Sequence, residues 1–285
     1  MNGANESAIQ KSPIGIFDSG FGGLTILSEI KSLLPQYSYI YLGDNMRAPY
    51  GSRSFDTVYQ FTLESVKWLF KQNCQLVILA CNTASAKALR SIQQNDLPKS
   101  DPARRVLGVI RPTAEIVNEL SSSGHVGILG TSGTIKSRSY EIELAKLHPQ
   151  LKVVSEACPM WVPLVENREF DKPGADYFVK QHIDNLLTKD DKIDTIILGC
   201  THYPLLISKI RQHLPPHIQI ISQGEYVARS LQDYLKRHPE MEERCSKESI
   251  VKYYTTDSTE EFEEFASSYL KEDVKVEKTK IEPSC

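Results

Sequence analysis

Apolar runs of strand length alternate with segments of helical period along almost the whole chain, and few folds accept that alternation. It is the pattern of βα units feeding a mostly parallel sheet, whose strands are covered on both faces and read as unbroken Val, Ile and Leu. The runs predict strands over Pro13 to Phe17, Ser38 to Leu42, Leu76 to Ala80, Arg105 to Ile110, His125 to Leu129, Leu151 to Glu156, Thr195 to Leu198, Gln219 to Ser222 and Ile250 to Thr255. The periodicity between them predicts helices over Gly23 to Leu34, Asp56 to Gln72, Thr83 to Gln94, Pro112 to Leu120, Ser132 to Leu147, Lys172 to Leu187, Tyr203 to Leu214, Gly224 to Lys236 and Ser258 to Leu270. A charged stretch spans His238 to Lys247. The closing segment, Lys271 to Pro283, is mostly charged and is expected to be loosely held.

A chain of 285 residues is long enough to bury two cores. A weak internal repeat supports that division. Gly15-Ile16-Phe17-Asp18-Ser19-Gly20 resembles Gly127-Ile128-Leu129-Gly130-Thr131-Ser132-Gly133, and each precedes, by a similar interval, a strand that ends in cysteine: Leu76 to Cys81 and Thr195 to Cys200. The expected architecture is therefore α/β, with two similar domains of mostly parallel sheet related by a rough twofold axis and the active site in the cleft between them. The crossover is expected near Val109 to Thr113, and the chain after Ser222 is expected to return to the first unit. That gives a discontinuous domain of residues 1–110 with 223–285 and a second of residues 111–222.

The formal net charge of −3 and the lack of a basic face argue against nucleic acid. No apolar run approaches the ~20 residues of a spanning helix, so no membrane is implied. Met1 to Ser12 is polar, lacks the apolar centre of a signal peptide and reads as a ragged tail. The six cysteines form no CxxC pair, which fits reduced thiols and a cytoplasmic location better than a disulfide framework. Cys74, Cys158 and Cys285 read as filler.

Cys81 and Cys200 do not. Each stands where a buried strand opens into a loop, the edge at which open α/β sheets place their chemistry. Two thiols in matching settings suit a reaction that needs the same group on both sides of a substrate, and racemisation is such a reaction. Asp18-Ser19-Gly20-Phe21-Gly22-Gly23-Leu24 leaves a strand and enters a helix, offering free N–H groups to an anion. It matches neither GxGxxG nor a P-loop, so nucleotide binding is disfavoured. Asn82, Thr83 and Thr201 follow the cysteines as helix caps, and the same exposed turns can hold a carboxylate. His202 stands two residues from Cys200, and a neighbouring imidazolium favours thiolate. The wide separation of the two cysteines and the lack of HxxxH speak against a zinc site.

With these residues in view the chain resembles the glutamate racemases. The resemblance rests on Phe17 to Leu24, Gly43-Asp44 with Pro49-Tyr50-Gly51, Ala80-Cys81-Asn82-Thr83-Ala84, Gly130-Thr131-Ser132-Gly133-Thr134, Pro163-Leu164-Val165-Glu166 and Gly199-Cys200-Thr201-His202-Tyr203-Pro204. It implies cofactor-independent, metal-free racemisation of glutamate that supplies D-glutamate to bacterial peptidoglycan. Cys81 and Cys200 would be the acid/base thiols, Asp18 and His202 their helpers, and Glu166 a further partner. Substrate would be held by Asp18, Ser19, Tyr50, Gly51, Asn82, Thr83, Thr131, Thr201 and His202. A homodimer is the expected assembly. Asn45 to Ala48 stands where a variable loop is expected, and Arg111-Pro112-Thr113 replaces the Pro-Gly of many members. An aspartate or hydantoin racemase is the alternative among enzymes, and a two-lobed amino-acid sensor is the alternative outside them.

Overall fold

A computed structural model describes residues 11–283. Ten strands fall into two parallel sheets. The strands are β1 (Ile14–Asp18), β2 (Tyr39–Gly43), β3 (Leu76–Leu79), β4 (Arg105–Gly108), β5 (His125–Gly130), β6 (Lys152–Ala157), β7 (Thr195–Gly199), β8 (Gln219–Ile221), β9 (Val251–Thr255) and β10 (Val276–Lys278). One sheet runs β10-β9-β2-β1-β3-β4 and the other β6-β5-β7-β8, and every pairing is parallel. The order β2-β1-β3-β4 is repeated as β6-β5-β7-β8, so each half has the same topology. The chain passes from one sheet to the other between β4 and β5 and returns between β8 and β9.

β1, β3 and β7 are buried at every residue, which is why they read as continuous apolar runs. Helices cover both faces of each sheet. On one face of the larger sheet the helices Leu24–Leu33, Gly224–Arg237 and Thr259–Leu270 pack Leu27, Ile30, Leu231, Leu235 and Phe262 against Ile14, Ile16 and Ile78. On the other, Phe55–Lys71 packs Val58, Val66 and Leu69 against Phe17, Val77 and Leu79. The smaller sheet is sandwiched by Pro173–Lys189 and Trp161–Glu166 on one side and by Ile110–Leu120 and Ser139–Leu147 on the other.

Four expectations need correction. The charged C-terminal segment is not loose: it carries β10, pairs with β9, and buries Val274 and Val276. The single helix expected over Ser132 to Leu147 is two helices, broken where Arg138 takes a left-handed φ of 55°. The helix expected to end at Gln94 continues, through a π-helical turn over Ile92–Asp96, to Ser100. The polar tail is shorter than expected, since Ser12 is buried and pairs with Cys245; residues 1–10, like Cys285, lie outside the described residues. Asn45–Arg47 forms a short 3₁₀ turn, with Arg47 paired to Asp44 and Glu64. Among the described residues no helix is long and apolar enough to cross a membrane.

Candidate active site

The strand order places two switch points. From β1 the chain goes to β2 on one side and then to β3 on the other, and β5 relates to β6 and β7 in the same way. Crevices open beyond the carboxyl ends of strands at such points. Asp18 ends β1, Cys81 lies just past β3, Thr131 just past β5 and Cys200 just past β7. The two halves turn these edges toward one another around a cavity of about 140 Å³.

Cys81 and Cys200 are each 5% exposed and both line that cavity. Cys81 caps the helix Asn82–Lys87, its Sγ accepting the Ala84 N–H at 3.5 Å and donating to Ser19 Oγ at 3.5 Å. Burial pushes its thiol up to about 12, and the Asp18 carboxylate pushes the same way. Cys200 lies 3.9 Å from His202 Nδ1, and His202 Nε2 lies 3.2 Å from Glu166 Oε1. Burial opposes a charged His202, but its hydrogen bonds with Cys200 and Glu166 outweigh that and hold the imidazole well above its ordinary range. The surroundings of the two thiols are thus unlike: a carboxylate beside one and a cation beside the other.

Asp18 is fully buried, accepting the Gly20 N–H at 3.0 Å and the Thr201 hydroxyl at 3.3 Å. Burial pushes its carboxyl up to about 6, against the pull of His202 and of the Gly20 and Gly23 N–H groups. Asp18 and Glu166 stand behind the cavity wall, while Ser19, Tyr50, Gly51, Asn82, Thr83, Thr131, Thr201 and His202 line it. The Tyr50 hydroxyl is committed to Asp44 at 2.5 Å, so what this residue offers the cavity is ring and main chain. Thr83 and Thr131 join the two halves through their hydroxyls at 2.9 Å, and Gly133 N–H donates to Gly51 O at 2.7 Å. Asn82 and Thr83 open one helix and Ser132 another, so their N–H groups have no intrahelical acceptor. The Gly22 turn packs on the second half so closely that a Cβ there would lie 2.5 Å from His202 Nδ1.

Among the described residues no Lys or Arg lines this cavity, and its titratable nitrogen base is His202, which is held well above its ordinary range. An anionic ligand would be held by main-chain N–H groups and hydroxyls. Sequence reasoning missed Pro49, Ser52, Ser132, Cys158, Pro159, Val162 and Pro163, which complete the lining. Cys158 follows β6 as Cys81 and Cys200 follow their strands. A larger cavity of about 660 Å³ opens beside the crossover, between Leu89, Ile110, Pro112, Ile142 and Tyr234, and no cysteine of the described residues lines it.

The chain matches the family model described as Asp/Glu/Hydantoin racemase over residues 24–271. It is 37% identical over 266 residues to a glutamate racemase of Streptococcus thermophilus, covering 93% of this chain and 94% of the relative. A crystal structure of a glutamate racemase isoform from Bacillus anthracis superposes with a TM-score of 0.86 at 39% identity, covering 95% of this chain and 98% of that one. A glutamate racemase of Francisella tularensis, solved in complex with D-glutamate, superposes with a TM-score of 0.84 at 29% identity over 96% and 99% of the two chains.

Proposed function

Since the chain belongs to the Asp/Glu/Hydantoin racemase family, we propose that it is an isomerase interconverting L- and D-glutamate, with Cys81 and Cys200 as its paired acid and base. One observation carries the proposal: two thiols from equivalent positions of two like-ordered sheets share one small cavity. Glutamate, rather than another amino acid, is read from relatives at 37–39% identity.

In one direction a thiolate removes the α-proton and the opposite thiol delivers its own proton to the other face. Inversion leaves the two sulfurs with exchanged protonation, and the reverse reaction restores them. Burial and the Asp18 carboxylate push the Cys81 thiol up to about 12, so at neutral pH it holds its proton and is suited to act as the donor. It becomes the base when the substrate's ammonium group lies against it, because a nearby cation favours thiolate. The developing carbanion spreads charge onto its carboxylate. Preorganised donors aimed at that carboxylate stabilise it in a water-poor site, and the N–H groups of Asn82, Thr83 and Ser132 with the hydroxyls of Ser19 and Thr131 are suited to the task. Asp18 modulates Cys81 through its charge, and the Glu166–His202 pair stands beside Cys200.

We assign the chain to the cytoplasm, as a homodimer whose D-glutamate enters bacterial cell-wall synthesis. Rescue of a D-glutamate auxotroph tests the last point and sedimentation tests the dimer. The test of the chemistry is incubation of L-glutamate with the protein in heavy water. The expected result is loss of circular dichroism together with deuterium at the α-carbon. Binding without α-deuteration would make the protein a sensor.

A further inference from the structure

Asn82 is 2% exposed, and both polar atoms of its side chain are engaged on the side away from substrate. Its Oδ1 accepts the Tyr140 hydroxyl at 2.6 Å, and its Nδ2 donates to Gln223 Oε1 at 2.6 Å. Gln223 Nε2 closes the ring by donating to the Tyr140 oxygen, and it also donates to Thr113 Oγ1 at 3.0 Å and Val109 O at 3.3 Å. Each of the three side chains gives one hydrogen bond and takes one around the ring, so every donor direction is fixed by the next. Neither Tyr140 nor Gln223 lines the cavity, and both are at most 2% exposed.

The ring gathers four separate pieces of chain. Asn82 follows the thiol of the first half, Tyr140 belongs to a helix of the second, and Val109 with Thr113 flanks the outward crossing. Gln223 caps the helix that follows the return. A single side chain, that of Asn82, therefore reports the relation of both crossings to the residue beside Cys81. Such a ring is a poor site for ligand and a good clamp. A buried network with every member satisfied fixes one geometry, and a misplacement of about 1 Å at a reacting centre can cost two orders of magnitude in rate.

We propose that Gln223 and Tyr140 are positioning residues: through Asn82 they hold the Cys81–Thr83 main chain, with its sulfur and N–H groups, at the distance the reaction needs. This rests on the reading of the thiol cavity as the active site. It also places the contribution of Asn82 to substrate in its main-chain N–H rather than its amide.

The experiment uses the full chain with Tyr140→Phe, which removes one oxygen, and Gln223→Met, which keeps length and removes both polar atoms. Gln223→Asn, shorter by one methylene, replaces the latter if it folds poorly. Each variant is expected to lower kcat for glutamate by ten- to a hundredfold with KM changed less than threefold. The α-deuterium isotope effect should change for one enantiomer only, the one whose proton Cys81 removes. A ring that only stabilises the fold would lower the melting temperature and leave kcat and both isotope effects as in the parent, and that result overturns the proposal. Cys81→Ser is run beside them. If it turns over normally, the active-site reading itself fails; if it is dead while Tyr140→Phe and Gln223→Met run at parent rates, only the positioning role fails.

Discussion

Gly22→Ala should separate a packing effect on the site from a general loss of stability. A Cβ at residue 22 would stand 2.5 Å from both His202 Nδ1 and Thr201 Oγ1. Carbon contacts ordinarily lie at about 3.5–4.0 Å, so the imidazole or the turn must retreat by about 1 Å. Neither moves freely. His202 is 3% exposed and tied to Glu166, and the Thr201 carbonyl is held by the Thr25 hydroxyl at 3.0 Å. A displacement of that size is expected to cost ~100-fold in kcat/KM, about 2.7 kcal/mol of transition-state stabilisation. Overpacking of this kind costs ~1–3 kcal/mol of stability, a melting drop of roughly 2–12 °C, which leaves the protein folded at 25 °C. Gly124→Ala is the matched control. Gly124 has a φ of +73° and open space around its Cβ position, so alanine there strains the backbone by about 1–2 kcal/mol without touching the site. Racemisation is followed by circular dichroism at 25 °C, with melting curves for both variants. The reasoning is refuted if Gly22→Ala stays within threefold of the parent in kcat/KM, or if Gly124→Ala loses as much activity.

Cys81→Ser and Cys200→Ser are each expected to abolish racemisation in both directions while leaving the far-ultraviolet spectrum and melting curve near those of the parent; full turnover by either would defeat the pairing. Asp18 predicts two pH effects. Its folded-state carboxyl is raised from 3.8 to about 6, so burying its charge destabilises the fold increasingly as pH rises through that window, by ~3 kcal/mol at its end. Asp18→Asn should flatten stability between about pH 4 and pH 6 in urea titrations, and an unchanged slope there would contradict the assignment. The same variant should remove the inflection near pH 6 that ionisation of Asp18 places in the kcat/KM profile, because the charge it deletes disfavours the Cys81 thiolate. Truncation after Lys271 deletes β10 and exposes the apolar surface that Val274 and Val276 cover, at ~3–6 kcal/mol. Chemical denaturation that shows no loss would return this segment to the status of a loose tail.

How much of this was legible in sequence follows from what each residue touches. β1, β3 and β7 could be read because both faces are buried and no alternation interrupts them. β10 could not: it is a three-residue edge strand with one buried side chain, pinned by Val276 N–H on Glu263 and Thr279 N–H on Thr255. Neither bond leaves a mark in composition. Trp161–Glu166 is too short for a period and contains Pro163. The break at Arg138 carries no Gly, Pro or Asn to announce it, although its φ of 55° lies in the left-handed region that Arg seldom adopts. The site divides in the same way. Cys81 and Cys200 declare themselves because a strand's end is a local feature that a run of residues can reveal. Cys158 obeys the same rule at the end of β6, but its half-exposed edge strand hid the match. Tyr140 and Gln223 meet Asn82 only through the fold, so no local pattern could connect them to it. A sequence read by local pattern therefore finds the groups that do the chemistry before those that hold them in place, because reactive groups sit at element ends while their supports are assembled from distant segments.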